Sequence, residues 1–215
     1  MSGPPARSHF PVLYRHGRSR YTKVHLFFDI CTGMGVAGAV GVRPFLPALV
    51  AGGLAAANLE IHFNGTDFFF LQSAPFLLGM AAGAIVLALI ERRRIEAQAL
   101  TIVLAVISAA IGALWFAGAL DHNHYTDWPG LIAGVICAVI GILATRPLLL
   151  RVRARLDPEA AAAVPLYAEG FGVLLAALSV VAPPVGLVGL LFLLWLLIAG
   201  RRRSEQKYAG LRILR

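Results

Sequence analysis

Six long apolar runs divide this chain, and they limit its fold more than any other feature. A transmembrane helix needs about 20 predominantly apolar residues. Inside hydrocarbon only helices and closed barrels satisfy every backbone polar group, and the short alternating segments of a membrane barrel are missing from the sequence. The sequence therefore predicts an all-α fold, a polytopic membrane helical bundle with about six crossings. The apolar runs are residues 25–57, 68–90, 97–120, 129–150, 160–181 and 185–200.

Composition and charge agree with a membrane protein. With 59% hydrophobic and 14% charged residues, the 215-residue chain has too little polar surface for a soluble domain. Its net charge of +8 would suggest nucleic acid in a soluble protein, but the basic residues form clusters that flank apolar runs. We interpret the clusters as topology signals that contact anionic lipid headgroups, and we predict no nucleic-acid binding. The clusters are residues 15–23, 92–94, 151–155 and 201–203.

The order of charged segments predicts a topology. Segments 58–67 and 121–128 carry acidic residues and histidines but no lysine or arginine, so they are expected outside, with every basic cluster in the cytoplasm. The prediction is a multi-pass protein of the cell inner membrane with both termini cytoplasmic. It divides the chain into a basic tail (1–24), a transmembrane domain (25–200) and a second basic tail (201–215).

The first apolar run is longer than one crossing requires, and Arg43-Pro44-Phe-Leu-Pro47 interrupts it. Because proline removes a helical hydrogen bond and clashes with the preceding turn, we predict a broken first helix with breaks at Pro44 and Pro47. Three further prolines in or beside apolar runs are predicted to break helices in the same way: Pro75, Pro147 and Pro165.

A short motif occurs twice and predicts an internal repeat. Gly-x4-Arg-Pro begins at Gly38 and again at Gly141, which suggests two repeat halves, 25–120 and 129–200. In the predicted topology the first crossing runs outward and the fourth inward. The halves would then form a 3+3 inverted repeat, an arrangement typical of transporters.

Two arginines within these motifs are candidate substrate-binding residues. Arg43 either faces a cavity, where its guanidinium could bind a carboxylate or phosphate with forked hydrogen bonds, or extends to the outer headgroups. Arg146 offers the same two interpretations. Its position just before a basic cytoplasmic run favours contact with headgroups.

Two carboxylates are candidate coupling residues. Glu169 lies about ten residues into its crossing, near the expected midplane, where an ionised carboxylate is costly. It is either a proton-coupling or substrate-binding group or a member of a structural ion pair. Asp29 lies one turn inside the first crossing and is either a coupling residue or a shallow polar contact.

The sequence predicts no enzyme activity, no cofactor and no metal site. His122 and His124 are spaced i and i+2, so they do not share a helical face, and no further ligands accompany them. Cys31 and Cys137 both lie in apolar runs, which argues against a structural disulfide. No arrangement typical of a hydrolase is present.

The segment Gly41-Val-Arg43-Pro44-Phe-Leu-Pro47, together with the terminal Lys207-Tyr-Ala-Gly-Leu-Arg212, resembles a family of bacterial integral membrane proteins catalogued as a domain of unknown function. The resemblance covers roughly residues 25–215. It implies a multi-span protein of a bacterial inner membrane, and it brings no catalytic or binding residues.

Two functions remain open from the sequence. The first is a small transporter, channel-like or flippase-like protein for an anionic or amphiphilic substrate, with Arg43 and Glu169 in a polar cavity between the halves. The second is a non-catalytic subunit or assembly factor of a larger membrane complex, or a homo-oligomer, with the glycine-rich helix faces as docking surfaces.

Overall fold

The computed structural model describes residues 15–57, 59, 63, 66–93, 98–121 and 128–211. Within these ranges the chain forms seven α-helices, one 3-10 turn and no strand, which confirms the predicted all-α bundle. Six helices are long and apolar enough to cross a membrane, and α2 is shorter. The predicted loop histidines and residues 1–14 and 212–215 of the predicted tails lie outside the described residues. The elements are α1 (Arg15–Val42), α2 (Phe45–Ala56), η1 (Phe69–Gln72), α3 (Ala74–Arg92), α4 (Gln98–Asp121), α5 (Trp128–Arg153), α6 (Pro158–Val181) and α7 (Pro183–Leu211).

The break in the first apolar run is where the sequence predicted it. The backbone N–H of Arg43 closes the last turn of α1 on the Ala39 carbonyl at 3.1 Å. Pro44 then caps the start of α2, and Pro47 lies buried in the first turn of that helix. The predicted broken first helix is therefore present.

The other three prolines do not interrupt a helix. Pro75 is the second residue of α3, where its missing N–H would have no partner in any case. The structure differs from the prediction at Pro147 and Pro165, which lie inside the continuous helices α5 and α6. Ala144 and Ala168, each one turn from one of these prolines, pack in the same buried cluster. Contacts between helices therefore hold both turns despite the lost hydrogen bond.

Close glycine contacts fix the directions of α1 and α4. Gly33 packs against Phe116, and Gly112 packs against Ala37. Residues that follow one another along α1 thus meet residues in reverse order along α4. The two helices are antiparallel.

The same reasoning applies to α5. Gly134 packs on the backbone of Gly112, and Gly130 packs on that of Ala117. α5 is therefore antiparallel to α4 and runs in the same direction as α1.

α7 also runs parallel to α1. Gly186 packs against Gly35, and the side chain of Leu193 lies over Gly38. Small residues allow these helix backbones to approach closely, as is common in membrane bundles.

α2 reverses the direction of the chain. Gly52 packs against Leu77 and Gly83 against Phe45, so α2 and α3 are antiparallel. α2 returns from the end of α1, and α3 then crosses again toward that same end. The short helix is an additional pass.

The bundle has two ends of different composition. The loop face contains His25, at the start of the apolar part of α1, and Trp128, at the start of α5. The arginine face contains Arg92 and Arg201, which follow the apolar parts of α3 and α7. α1 continues as a helix for ten residues before His25, so the N-terminal basic cluster lies on the loop-face side.

This arrangement differs from the predicted topology, which placed all four basic clusters and both termini on one side. The start of α1 and the end of α7 lie at opposite ends of the bundle. The difference arises from α2, because the predicted topology treats residues 25–57 as a single crossing. α2 instead leads the chain back before α3 begins.

The internal repeat also changes its symmetry. α1 and α5 are parallel, so the two Gly-x4-Arg-Pro motifs run in the same direction and are not inverted. The sequences of α3 and of the apolar part of α7 align without a gap, since each helix has proline second and a run of three arginines begins at Arg92 and at Arg201. Helices α1 and α3 thus run in the same direction as α5 and α7, with α4 between the two sets, as in transporters whose repeats are parallel.

Cysteine labelling tests this topology. We expect His25→Cys and Trp128→Cys to react with a membrane-impermeant thiol reagent from one side, and Arg201→Cys from the other. The arginine face should be cytoplasmic because arginine-rich segments are retained there. The unmodified protein is the control, since Cys31 and Cys137 are buried. Labelling of His25→Cys and Arg201→Cys from the same side would contradict the helix directions.

Candidate functional site

An ion pair lies at the break between α1 and α2. The Nη1 atom of Arg43 donates to the Oε1 atom of Glu91 at 2.6 Å. The Arg43 side chain is 11% exposed and that of Glu91 is 30% exposed. Burying a guanidinium is costly without such a partner, so the pair allows the arginine to remain inside the bundle.

A second carboxylate lies beside this pair. Glu169, on α6, is close enough to interact electrostatically with both Arg43 and Glu91. It is half-buried, and it forms no hydrogen bond or ion pair with other residues that the structure describes. The cluster of Arg43, Glu91 and Glu169 therefore contains one cation and two carboxylates.

Helix packing brings the three groups together from distant parts of the chain. Gly172 of α6 packs against the ring of Pro47, and Gly83 of α3 packs against the ring of Phe45. Glu169 is one helical turn from Gly172 on α6. Glu91 is two turns from Gly83 on α3. Glu169 therefore lies level with the break, and Glu91 lies about 12 Å further along α3, where the Arg43 side chain reaches it.

The cluster lies near the arginine face. Glu91 is followed at once by exposed Arg92 and Arg93. Counting residues along the apolar runs predicts Arg43 near the outer edge of the membrane and Glu169 near the midplane. The structure places both at the same level, toward the end of the bundle where α3 and α7 carry their arginines.

The other two predicted residues lie apart from the cluster. Asp29 is half-buried on α1, fourteen residues and so about 20 Å along the helix from Arg43. Arg146 is exposed on α5, and it forms no hydrogen bond or ion pair among the described residues. Of the four predicted residues, the fold brings together Arg43 and Glu169.

Glu91 is the member that sequence reasoning missed. It precedes Arg92-Arg93-Arg94 and so was included in a solvated cytoplasmic flank. A signal was present in the repeat: where α3 has Glu91, the matching position of α7 is Gly200. Glu91 thus differs from its counterpart in the second half, and it pairs with Arg43, the one arginine inside the first apolar run.

This arrangement has defined chemical options. Arg43 interacts with both carboxylates, through a hydrogen bond to Glu91 and at longer range with Glu169. It can receive an external anion only if Glu91 withdraws. The surplus carboxylate can accept a proton or a cation.

A family model described as Domain of unknown function (DUF4126) matches residues 30–203 of the chain. The match contains all three residues of the charged cluster and both Gly-x4-Arg-Pro motifs. No curated protein and no solved structure matches the chain.

Substitutions in the cluster should have unequal effects on stability. Arg43→Gln leaves two carboxylates facing each other and should lower the free energy of unfolding by about 2 to 4 kcal/mol, as for broken buried pairs. Glu91→Gln should cost about 1 kcal/mol, since Glu169 can replace the lost partner. Denaturant unfolding in detergent measures both, with the exposed Glu159→Gln as control. Equal effects of the two variants would exclude Glu169 from the cluster.

Proposed function

The chain belongs to this DUF4126 family, as the resemblance predicted, and we propose that it is a small proton-coupled transporter for an anionic or amphiphilic substrate. Six long apolar helices make it a multi-pass membrane protein. The single observation that supports transport is the charged cluster of Arg43, Glu91 and Glu169 at a helix break. Ionisable groups inside a membrane bundle commonly mark ion or substrate pathways.

The charge balance of the cluster supports coupling to protons. Arg43 is the cation to which an anionic substrate would bind, by a forked carboxylate or phosphate contact. Binding there displaces Glu91 and gathers three negative groups around one guanidinium. Like charges at this distance disfavour each other strongly when water is scarce. A proton on Glu169 or Glu91 relieves the repulsion, so the anion and a proton should bind together.

The position of the cluster supports the same proposal. Broken helices of transporters place charged groups and helix ends at the substrate site. Here the break follows Val42, and the two carboxylates beside it are half-buried. Movement of α2 relative to α1 at Pro44 would alter access to Arg43.

A thermal-shift panel tests this function before a substrate is known. We expect at least one of inorganic phosphate, succinate and a short alkyl phosphate to raise the Tm of the purified protein. The rise should be larger at pH 5.5 than at pH 7.5, because binding is accompanied by proton uptake. Any compound that stabilises the protein is then assayed for uptake into proteoliposomes along an imposed proton gradient.

Two variants make the result specific. Arg43→Gln should abolish the response, and Glu169→Gln should keep it while removing most of its dependence on pH. Glu159→Gln, exposed on the same helix as Glu169, is the matched control. An Arg43→Gln protein that responds like the wild type would contradict the proposal.

One observation favours the second function, a subunit of a larger assembly. α3 packs mainly along α2 and η1, and only Ala84 and Leu87 among its residues are buried. On its outer surface, Leu78 is 70% exposed and Ile85 is 62% exposed. A neighbouring subunit or a second copy would cover this helix.

Crosslinking in native membranes tests that alternative. A photoreactive residue at Ile85 should give a discrete protein adduct if α3 is an interface. Ile136 of α5, 54% exposed and also outward, is the matched control. An adduct of twice the chain mass identifies a second copy. The absence of any adduct at Ile85, or identical adducts at both positions, would exclude α3 as a specific interface.

A further inference from the structure

Arg146 interrupts an apolar stripe on the outside of the bundle. One side of α5 repeats exposed residues at intervals of three and four, which is the surface that a transmembrane helix presents to lipid. Arg146 takes the fifth position of that stripe, between two leucines. The stripe consists of Ile132, Ile136, Val139, Leu143, Arg146 and Leu150.

Comparison of the two motifs shows how this arginine differs from Arg43 in the part of the chain that the structure describes. Arg43 and Arg146 occupy the same position in their Gly-x4-Arg-Pro motifs. Arg43 points into the bundle and pairs with Glu91, but the second half has Gly200 where the first has Glu91. The Gly200 carbonyl instead accepts a hydrogen bond from Arg151 at 3.4 Å. Arg146 therefore has no intramolecular acid to neutralise it among the described residues.

A second arginine lies on the same side of α5. Arg153 follows Arg146 by seven residues, two helical turns or about 10 Å, so both project in nearly the same direction. The Nε atom of Arg153 is buried and forms no hydrogen bond within the described part of the chain. Two guanidinium groups thus flank Leu150, which is 65% exposed.

We infer that Arg146 and Arg153 form a binding site for an anionic phospholipid of the leaflet at the arginine face. The phosphate lies between the two guanidinium groups, and the acyl chains lie along Leu143 and the apolar stripe above it. Arginine binds phosphate through forked, charge-assisted hydrogen bonds. The nearby Arg151 and Arg155 are also exposed, so the local charge favours a lipid with net negative charge over a zwitterionic one.

Native mass spectrometry of the purified full chain in detergent tests this site. The protein is titrated with phosphatidylglycerol or phosphatidylcholine, and the Kd of the first bound lipid is measured for each. We expect phosphatidylglycerol to bind at least about tenfold more tightly. Arg146→Gln should weaken it about tenfold, the loss expected for one charge-assisted contact. Arg146→Lys should restore part of the affinity, because lysine keeps the charge but not the fork.

The control variant is Arg93→Gln, which removes an exposed arginine of the same face at the end of α3. Its affinity for phosphatidylglycerol should stay within about twofold of the wild type, less than the effect of one lost contact. Sodium phosphate added during the phosphatidylglycerol titration should leave the Kd of the first bound lipid unchanged, since the acyl chains contribute to binding. Equal losses in Arg93→Gln and Arg146→Gln would show only diffuse attraction and overturn the site. Displacement of bound phosphatidylglycerol by free phosphate would overturn the assignment to lipid.

Discussion

The buried contact between Arg43 and Glu91 constrains most of the observed arrangement. A guanidinium inside a membrane bundle requires a partner at its own level, and the partner here is the last acidic residue of α3. That requirement places the end of α3 beside the end of α1. It also requires α2 to run back through the bundle, because α3 can reach that level only by starting from the opposite end.

The arginine of the repeated motif has a different environment in each half of the chain. Both halves carry a Gly-x4-Arg-Pro motif, and Gly141 packs directly on the backbone of Gly38 where α1 and α5 cross. In the first half the helix breaks, and its arginine is held inside by a carboxylate. In the second half the helix continues through Pro147, and its arginine remains on the surface. The two motifs thus place one arginine in the interior of the bundle and one at its periphery.

The sequence predicted the elements well and their directions poorly. Length and hydropathy identify apolar helices, and Pro44 marks a break, because both effects are local to the chain. Whether a 12-residue segment folds back depends on contacts with α3 and α6, which no local pattern contains. The basic clusters do not indicate the direction of α2 either, since the cluster before His25 lies at the loop face and the other clusters lie at the arginine face. Pro147 and Pro165 show the same effect of tertiary contacts. Packing between helices maintains helical turns that a proline alone would break.

The length of α2 has a consequence for the surrounding bilayer. Twelve residues extend about 18 Å, well short of a hydrocarbon layer about 30 Å thick. Helix α2 therefore ends within such a layer. The 3-10 turn η1 packs against α2, with Leu71 and Phe63 buried and the Gln72 side chain accepting the N–H of Phe63 at 3.0 Å. A backbone turn at this depth is tolerated because protein covers it. A change in bilayer thickness would alter how much of this turn lies within the hydrocarbon, at the end of the helix that begins at the break.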